Sequence, residues 1–189
     1  MIRSASISDA APIAKALWSI WHALKARQIP APLHAYPSCE ALRDEIANDL
    51  SRWLVCESSD SQQMGFFGLF PPGREKAYKR WGFSEQFVDV QHFACLLSGS
   101  ILIHHFQLLA SHFPQQSILL CIPSQLRDAY WAALKAGFAL LGESPLIIGT
   151  VAWLYLDREG RRAKIQAKLQ RAKVIAQPDM TTRRGRREQ

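Results

Sequence analysis

At 189 residues the chain has the length of one domain and is too short for two of ordinary size. Apolar residues make up 48% and charged residues 21%, which is enough apolar material to close a core and excludes a wholly disordered or collagen-like chain. No run approaches the roughly 20 apolar residues of a membrane span. The start Met1-Ile2-Arg3-Ser4 lacks a basic-then-apolar leader, so a cytoplasmic location is expected. The net charge of +7 is unevenly distributed. Residues 158–189 carry eleven Lys and Arg against three acids, or +8, while residues 1–157 come to −1.

In chain order, Ile2 to Ile7 alternates as a short strand, and Ser8 or Asp9 can cap a helix whose Ile13, Leu17, Ile20 and Leu24 recur at three and four residues. Pro30, Pro32 and Pro37 punctuate a loop. Ser38 then opens a second helix around Leu42, Ile46 and Leu50. Trp53 to Glu57 and Met64 to Phe70 read as a hairpin about the polar turn Ser58 to Gln63, and Pro71 to Glu85 as a long loop. Gln86 to Leu96 is the longest predicted strand; simple alternation puts Val88, Val90, His92, Ala94 and Leu96 on one face and Asp89 on the other. After Ser98-Gly99-Ser100, the spacing of Leu102, Phe106 and Leu109 predicts a helix over 101–113. Ser117 to Ile122 is a fully apolar strand. Ser124 can cap a helix that Gly137 ends, and Phe138 to Leu141 and Thr150 to Leu156 complete the series. The order predicts an α/β fold, a mixed central sheet of about six to seven strands with helices on both faces.

Cys39, Cys56, Cys95 and Cys121 stand far apart without a C-x-x-C pair and are read as free thiols, mostly small buried hydrophobes. His104 and His105 diverge by about 100 degrees on a helix, so they cannot chelate one ion together, and no metal is expected. Residues 1–157 are expected to form the folded domain. Residues 158–189 are expected to form a basic tail, helical over Gly160 to Ala176 and then loose beyond Pro178. Such a tail can neutralise nucleic-acid phosphates or serve only as a solubilising end, and it has no interleaved aromatics for base stacking.

Three landmarks carry a resemblance. The opening Ile2-Arg3-Ser4-Ala5-Ser6-Ile7-Ser8-Asp9 with Ile13-Ala14, the stretch Gly65-Phe66-Phe67-Gly68, and Ala129 through Gly137-Phe138 resemble, in order and spacing, the GNAT superfamily of N-acetyltransferases over residues 1–157. That resemblance implies a GNAT-like acyltransferase domain that takes acetyl-CoA or another acyl-CoA as substrate. The thioester arm would lie along Phe93, Cys95, Leu96, Leu97, Ser98, Gly99, Ser100, Ile101 and Leu102, with pantetheine on the backbone of Phe93, Cys95 and Leu96 and pyrophosphate at the start of the following helix. The family's phosphate loop usually opens with Gln or Arg, which Leu96-Leu97-Ser98-Gly99-Ser100 lacks. The family's frequent tyrosine and asparagine fall at Ala133 and Leu126.

Acyl transfer to an amine needs a neutral amine held in line and a donor for the departing sulfur. His92 is the preferred base because its ordinary pKa suits proton removal near neutrality, and Tyr130 is the candidate donor. The packing alternative for both is a side chain held in the core. The expected partners are a small-molecule or peptide amine and, through the tail, nucleic acid; the assembly state stays open and includes a dimer. The competing function is a catalytically silent GNAT-fold protein that binds or regulates.

Overall fold

The computed structural model describes residues 1–26, 37–49, 52–57, 64–69, 87–94, 100–124, 126–145, 150–158 and 166–167. The expected loops at 58–63 and 71–85, the stretch 95–99 and nearly all of the expected tail helix lie outside them. The strands are β1 (Ile2–Ser4), β2 (Trp53–Glu57), β3 (Met64–Leu69), β4 (Val88–Ala94), β5 (Ile118–Pro123), β6 (Ala139–Pro145) and β7 (Thr150–Leu156). They form one sheet in the order β1-β2-β3-β4-β5-β7-β6. Only β4 and β5 run parallel; the other neighbours are antiparallel.

Helices α1 (Ala10–Ala26), α2 (Cys39–Asn48), α3 (Ser100–His112) and α4 (Arg127–Lys135) cover both faces. Period-two alternation divides the core between them. Leu54, Cys56, Phe67, Val88, Val90, Ile118, Leu120 and Leu154 face α3 and α4, meeting Leu102, Phe106, Leu109, Ala129, Ala132 and Ala133. Trp53, Val55 and Phe66 point the other way, onto Ile13, Leu17, Leu42 and Ile46 of α1 and α2. On that same face Phe87, Leu119, Leu141 and Tyr155 form a smaller cluster.

Local chemistry sets the helix ends. Ser38 caps α2, its hydroxyl accepting from the Ala41 N–H at 3.1 Å, as the sequence predicts. Helix α4 ends in a left-handed turn at Gly137, φ 100. The N–H groups of Gly137 and Phe138 donate to the carbonyls of Leu134 and Ala133. Its start differs from expectation: Leu126, not Ser124, holds the cap position, because the Leu126 N–H first closes a turn onto the Pro123 carbonyl. At the amino terminus the first strand stops at Ser4, and a 3-10 turn over Ile7–Asp9 precedes α1.

Asp9 does more than begin a helix. Its carboxylate accepts from both terminal nitrogens of Arg3 at 2.8 and 3.0 Å, and from the Ser6 N–H and hydroxyl, both at 2.7 Å. Arg3 in turn reaches Glu57 of β2 at 2.8 Å. The I-R-x-A-x-x-x-D opening is thus a clamp of β1 onto the 3-10 turn before α1 and onto β2. The Arg3 guanidinium outweighs burial and, with Ser6, holds the Asp9 carboxyl well below its usual range.

On β3, Gly65 makes room for the fully buried His105 of α3; a Cβ there would overlap the imidazole. Burial pushes the His105 pKa down, with a smaller push from His104.

These groups set the acid response. A buried neutral histidine favours unfolding once the pH falls below its ordinary value of 6.5, since the unfolded chain takes up the proton first. Asp9, depressed in the fold, contributes stability above its ordinary 3.8 that is lost as the pH falls further. Urea denaturation should therefore show stability declining in two stages on acidification. Asp9→Asn should cost roughly 2–3 kcal/mol at neutral pH and remove the lower stage.

Candidate functional site

Strand β4 carries one residue more than its neighbour. Its register with β3 pairs Phe66 with Ala94, Phe67 with Phe93 and Gly68 with His92, then steps to Leu69 with Val90, leaving Gln91 as a bulge. The parallel ladder with β5 runs only from Val88, Asp89 and Val90 to Ile118, Leu119 and Leu120, although β4 continues to Ala94 and β5 to Pro123. Beyond the bulge the two strands part. Because they are parallel, both carboxyl ends open on one edge of the sheet, and α3 and α4 start at that edge.

Strand geometry settles where the Phe93 peptide points. The Leu69 N–H donates to the Arg52 carbonyl, so Leu69 and Phe67 turn their peptide groups to β2, whereas Gly68 and Phe66 turn theirs to β4. Gly68 and Phe66 partner His92 and Ala94, and Phe93 between these two directs its N–H and C=O away from β3, into the gap toward β5. Of the expected thioester contacts, Cys95, Leu96, Leu97, Ser98 and Gly99 lie outside the described residues. Ser100, Ile101 and Leu102 form the first turn of α3, where backbone N–H groups have no acceptor within the helix. The Ser100 side chain is exposed, Ile101 is half-buried, and Leu102 is committed to the core.

The bulge also reverses the alternation of β4. His92 does not share the face of Val88 and Val90. It partners Gly68, which partners Trp53, and its ring stacks on the Trp53 indole with centroids 5.9 Å apart and planes 9° from parallel. Asp89, opposite Leu119 on β5, lies on that α1/α2 face too. The expectation that the two residues point to opposite faces is therefore overturned by a single inserted residue. Burial pushes the His92 pKa down; Glu45 raises it and Arg52 lowers it. Its imidazole is thereby held toward the neutral form.

Cys121, on β5 and half-buried, has its thiol pushed up to about 12 by burial, reinforced by Asp89. It is no nucleophile at neutral pH. Tyr130, one turn into α4, is half-buried, packs against the main core and meets Trp131 edge-on at 5.5 Å. Ala133, where the family's tyrosine falls, is fully buried against the sheet. Sequence reasoning missed Trp53 and Gly68 as neighbours of His92, since β2, β3 and β4 come together only in the fold.

The parted parallel strands, the bulge and the strand order together decide the architecture. The fold is that of the GNAT acetyltransferases. A GNAT-family acetyltransferase from Bacillus anthracis superposes with a TM-score of 0.58 at 12% identity, over 84% of this chain and 94% of that one. A ribosomal-protein-S5-alanine acetyltransferase from Vibrio fischeri gives 0.59 at 16%, over 84% and 93%. An N-acetyltransferase from Staphylococcus aureus Mu50 gives 0.58 at 16%, over 82% and 100%. No protein-family model and no curated protein matches the chain by sequence. Among the described residues, no helix of this GNAT-fold chain is long and apolar enough to cross a membrane.

The elevated Cys121 thiol has a direct consequence. At pH 7.5, iodoacetamide should modify Cys121 in the folded chain at least a hundredfold more slowly than after denaturation, as read by mass spectrometry of the peptide.

Proposed function

We propose that the chain is an acyl-CoA-dependent N-acyltransferase, moving an acetyl or other acyl group to the amine of a small molecule or peptide. The observation that carries this reading is the parting of β4 from β5, with the Phe93 peptide turned into the gap and α3 beginning at its edge. An extended amide-bearing arm can continue the β4 ladder there, and the first N–H groups of α3 favour an anion. The residues fit a coenzyme A thioester, which supplies an activated acyl group.

In this reading His92 takes the proton from the amine as the new C–N bond forms and the C–S bond breaks. The departing thiolate receives a proton from a donor for which Tyr130 is the candidate. Burial that keeps His92 neutral suits it to the first role, because a protonated imidazole could accept nothing. The other cofactor contacts are Cys95, Leu96, Leu97, Ser98, Gly99, Ser100, Ile101 and Leu102. The segregation of charge supports nucleic acid as a further partner of residues 158–189, reached from a domain whose own net charge is −1.

Calorimetry with acetyl-CoA and longer acyl-CoAs should show binding; absence of heat at millimolar concentration would reject the proposal. Gly99→Trp should abolish the rise in Tm that acetyl-CoA confers. His92→Gln should leave that rise in place while lowering kcat by roughly 10²–10⁴-fold. Removal of the chain after Arg158 should leave transfer to a small amine unchanged and abolish a salt-sensitive affinity for RNA. An affinity that survives the truncation would remove the tail from that role.

A further inference from the structure

Trp53, Gly68 and His92 form one row across β2, β3 and β4, each the ladder partner of the next. The indole lies across the glycine: a Cβ on Gly68 would sit 2.8 Å from Cη2 of Trp53 and 3.0 Å from Cβ of His92. With hydrogen in that place, an aromatic side chain from β2 reaches past β3 and meets a ring from β4. At its other end the indole is anchored, Nε1 donating to Oε2 of Glu45 on α2 at 3.0 Å. The second oxygen of Glu45 lies 3.5 Å from Nη2 of Arg52, which directly precedes β2. Trp53 is only 1% exposed, packed in the core with Ile13, Leu17 and Ile46.

We propose that Trp53 is a positioning residue: pinned by Glu45 and seated over Gly68, it holds the His92 imidazole where β4 and β5 part. The inference rests on the reading of His92 as the proton acceptor in acyl transfer. Its physical content is separable from that reading. Held flat against a buried indole, the imidazole loses water on one face and gains a fixed direction for its nitrogens. The charged groups that act on it from the neighbouring elements are Glu45 of α2, which favours the imidazolium, and Arg52 before β2, which opposes it. Asp89 shares its strand and face.

The test is the titration of His92 in the full chain, followed by NMR of isotope-labelled histidine, alongside the pH profile of kcat/KM. Glu45→Gln keeps an acceptor for the indole and removes the charge, so the His92 midpoint should fall by a few tenths of a pH unit. Arg52→Gln should raise it. Trp53→Phe loses the anchor and half of the stacking surface, so the midpoint should rise toward the ordinary histidine value. Its kcat should fall roughly tenfold, with KM for acetyl-CoA changed less than about twofold.

A residue with only a packing role would lower stability and leave the His92 midpoint and kcat where they are. An unchanged midpoint and kcat in Trp53→Phe overturn the proposal; should that variant not fold, equal midpoints and kcat in Glu45→Ala, which loses the acceptor of the indole, and Glu45→Gln, which keeps it, overturn it instead. A shifted midpoint in a chain that neither binds nor uses acyl-CoA would sustain the positioning of His92 and defeat only the transferase reading.

Discussion

One extra residue in β4 governs the site. In a regular sheet a strand between two neighbours is hydrogen-bonded along both edges, and no extended ligand can enter. Here the bulge at Gln91 lets β4 stay in register with β3 on one side while it leaves β5 after three pairs on the other. The same insertion rotates the following residues by one position, so that His92 lies with Trp53 and not with Val88 and Val90. Opening of the sheet and reorientation of the histidine are two consequences of one backbone irregularity.

Strand β3 is the thin element that makes this geometry packable. Gly65 faces α3 and admits the His105 ring, whereas Gly68 faces the other side and admits the Trp53 indole. Three residues apart in a strand means opposite faces, so each glycine serves one layer of helices. The two histidines concerned are both held toward the neutral form by burial, yet their settings differ. His105 is enclosed in the core between α3 and the sheet, while His92 lies beside the opening with an ion pair acting through its neighbourhood. The contrast explains why one is packing and the other is the candidate for chemistry.

Away from the opening the fold is secured by conventional means. A bidentate Arg3–Asp9 pair ties the first strand to the turn before α1, Arg3 also pairs with Glu57 of β2, and α3 and α4 bury an apolar layer against the sheet. Small residues Ala129, Ala132 and Ala133 are buried where α4 meets the sheet, Ala133 completely. Alanine at the position where the resemblance puts a tyrosine is thus part of the packing of α4 on the sheet.

Much of the architecture was legible in the chain. Among the described residues, spacings of three and four located the four α-helices, alternating and continuous apolar runs located the seven strands, and Ser38 and Gly137 marked true helix ends, because each of these signals is local. The segregation of charge into residues 158–189 is likewise a property of sequence alone. Tertiary structure decided the rest. Counting by twos put His92 on the wrong face, since a bulge is created by the partners a strand must match, and those lie some twenty-five residues away in β3. Ser124 lost the cap of α4 to a turn that Leu126 makes with Pro123. The row of Trp53, Gly68 and His92 exists only where three strands are laid side by side, and periodicity along one strand carries no record of what its neighbours place beside it.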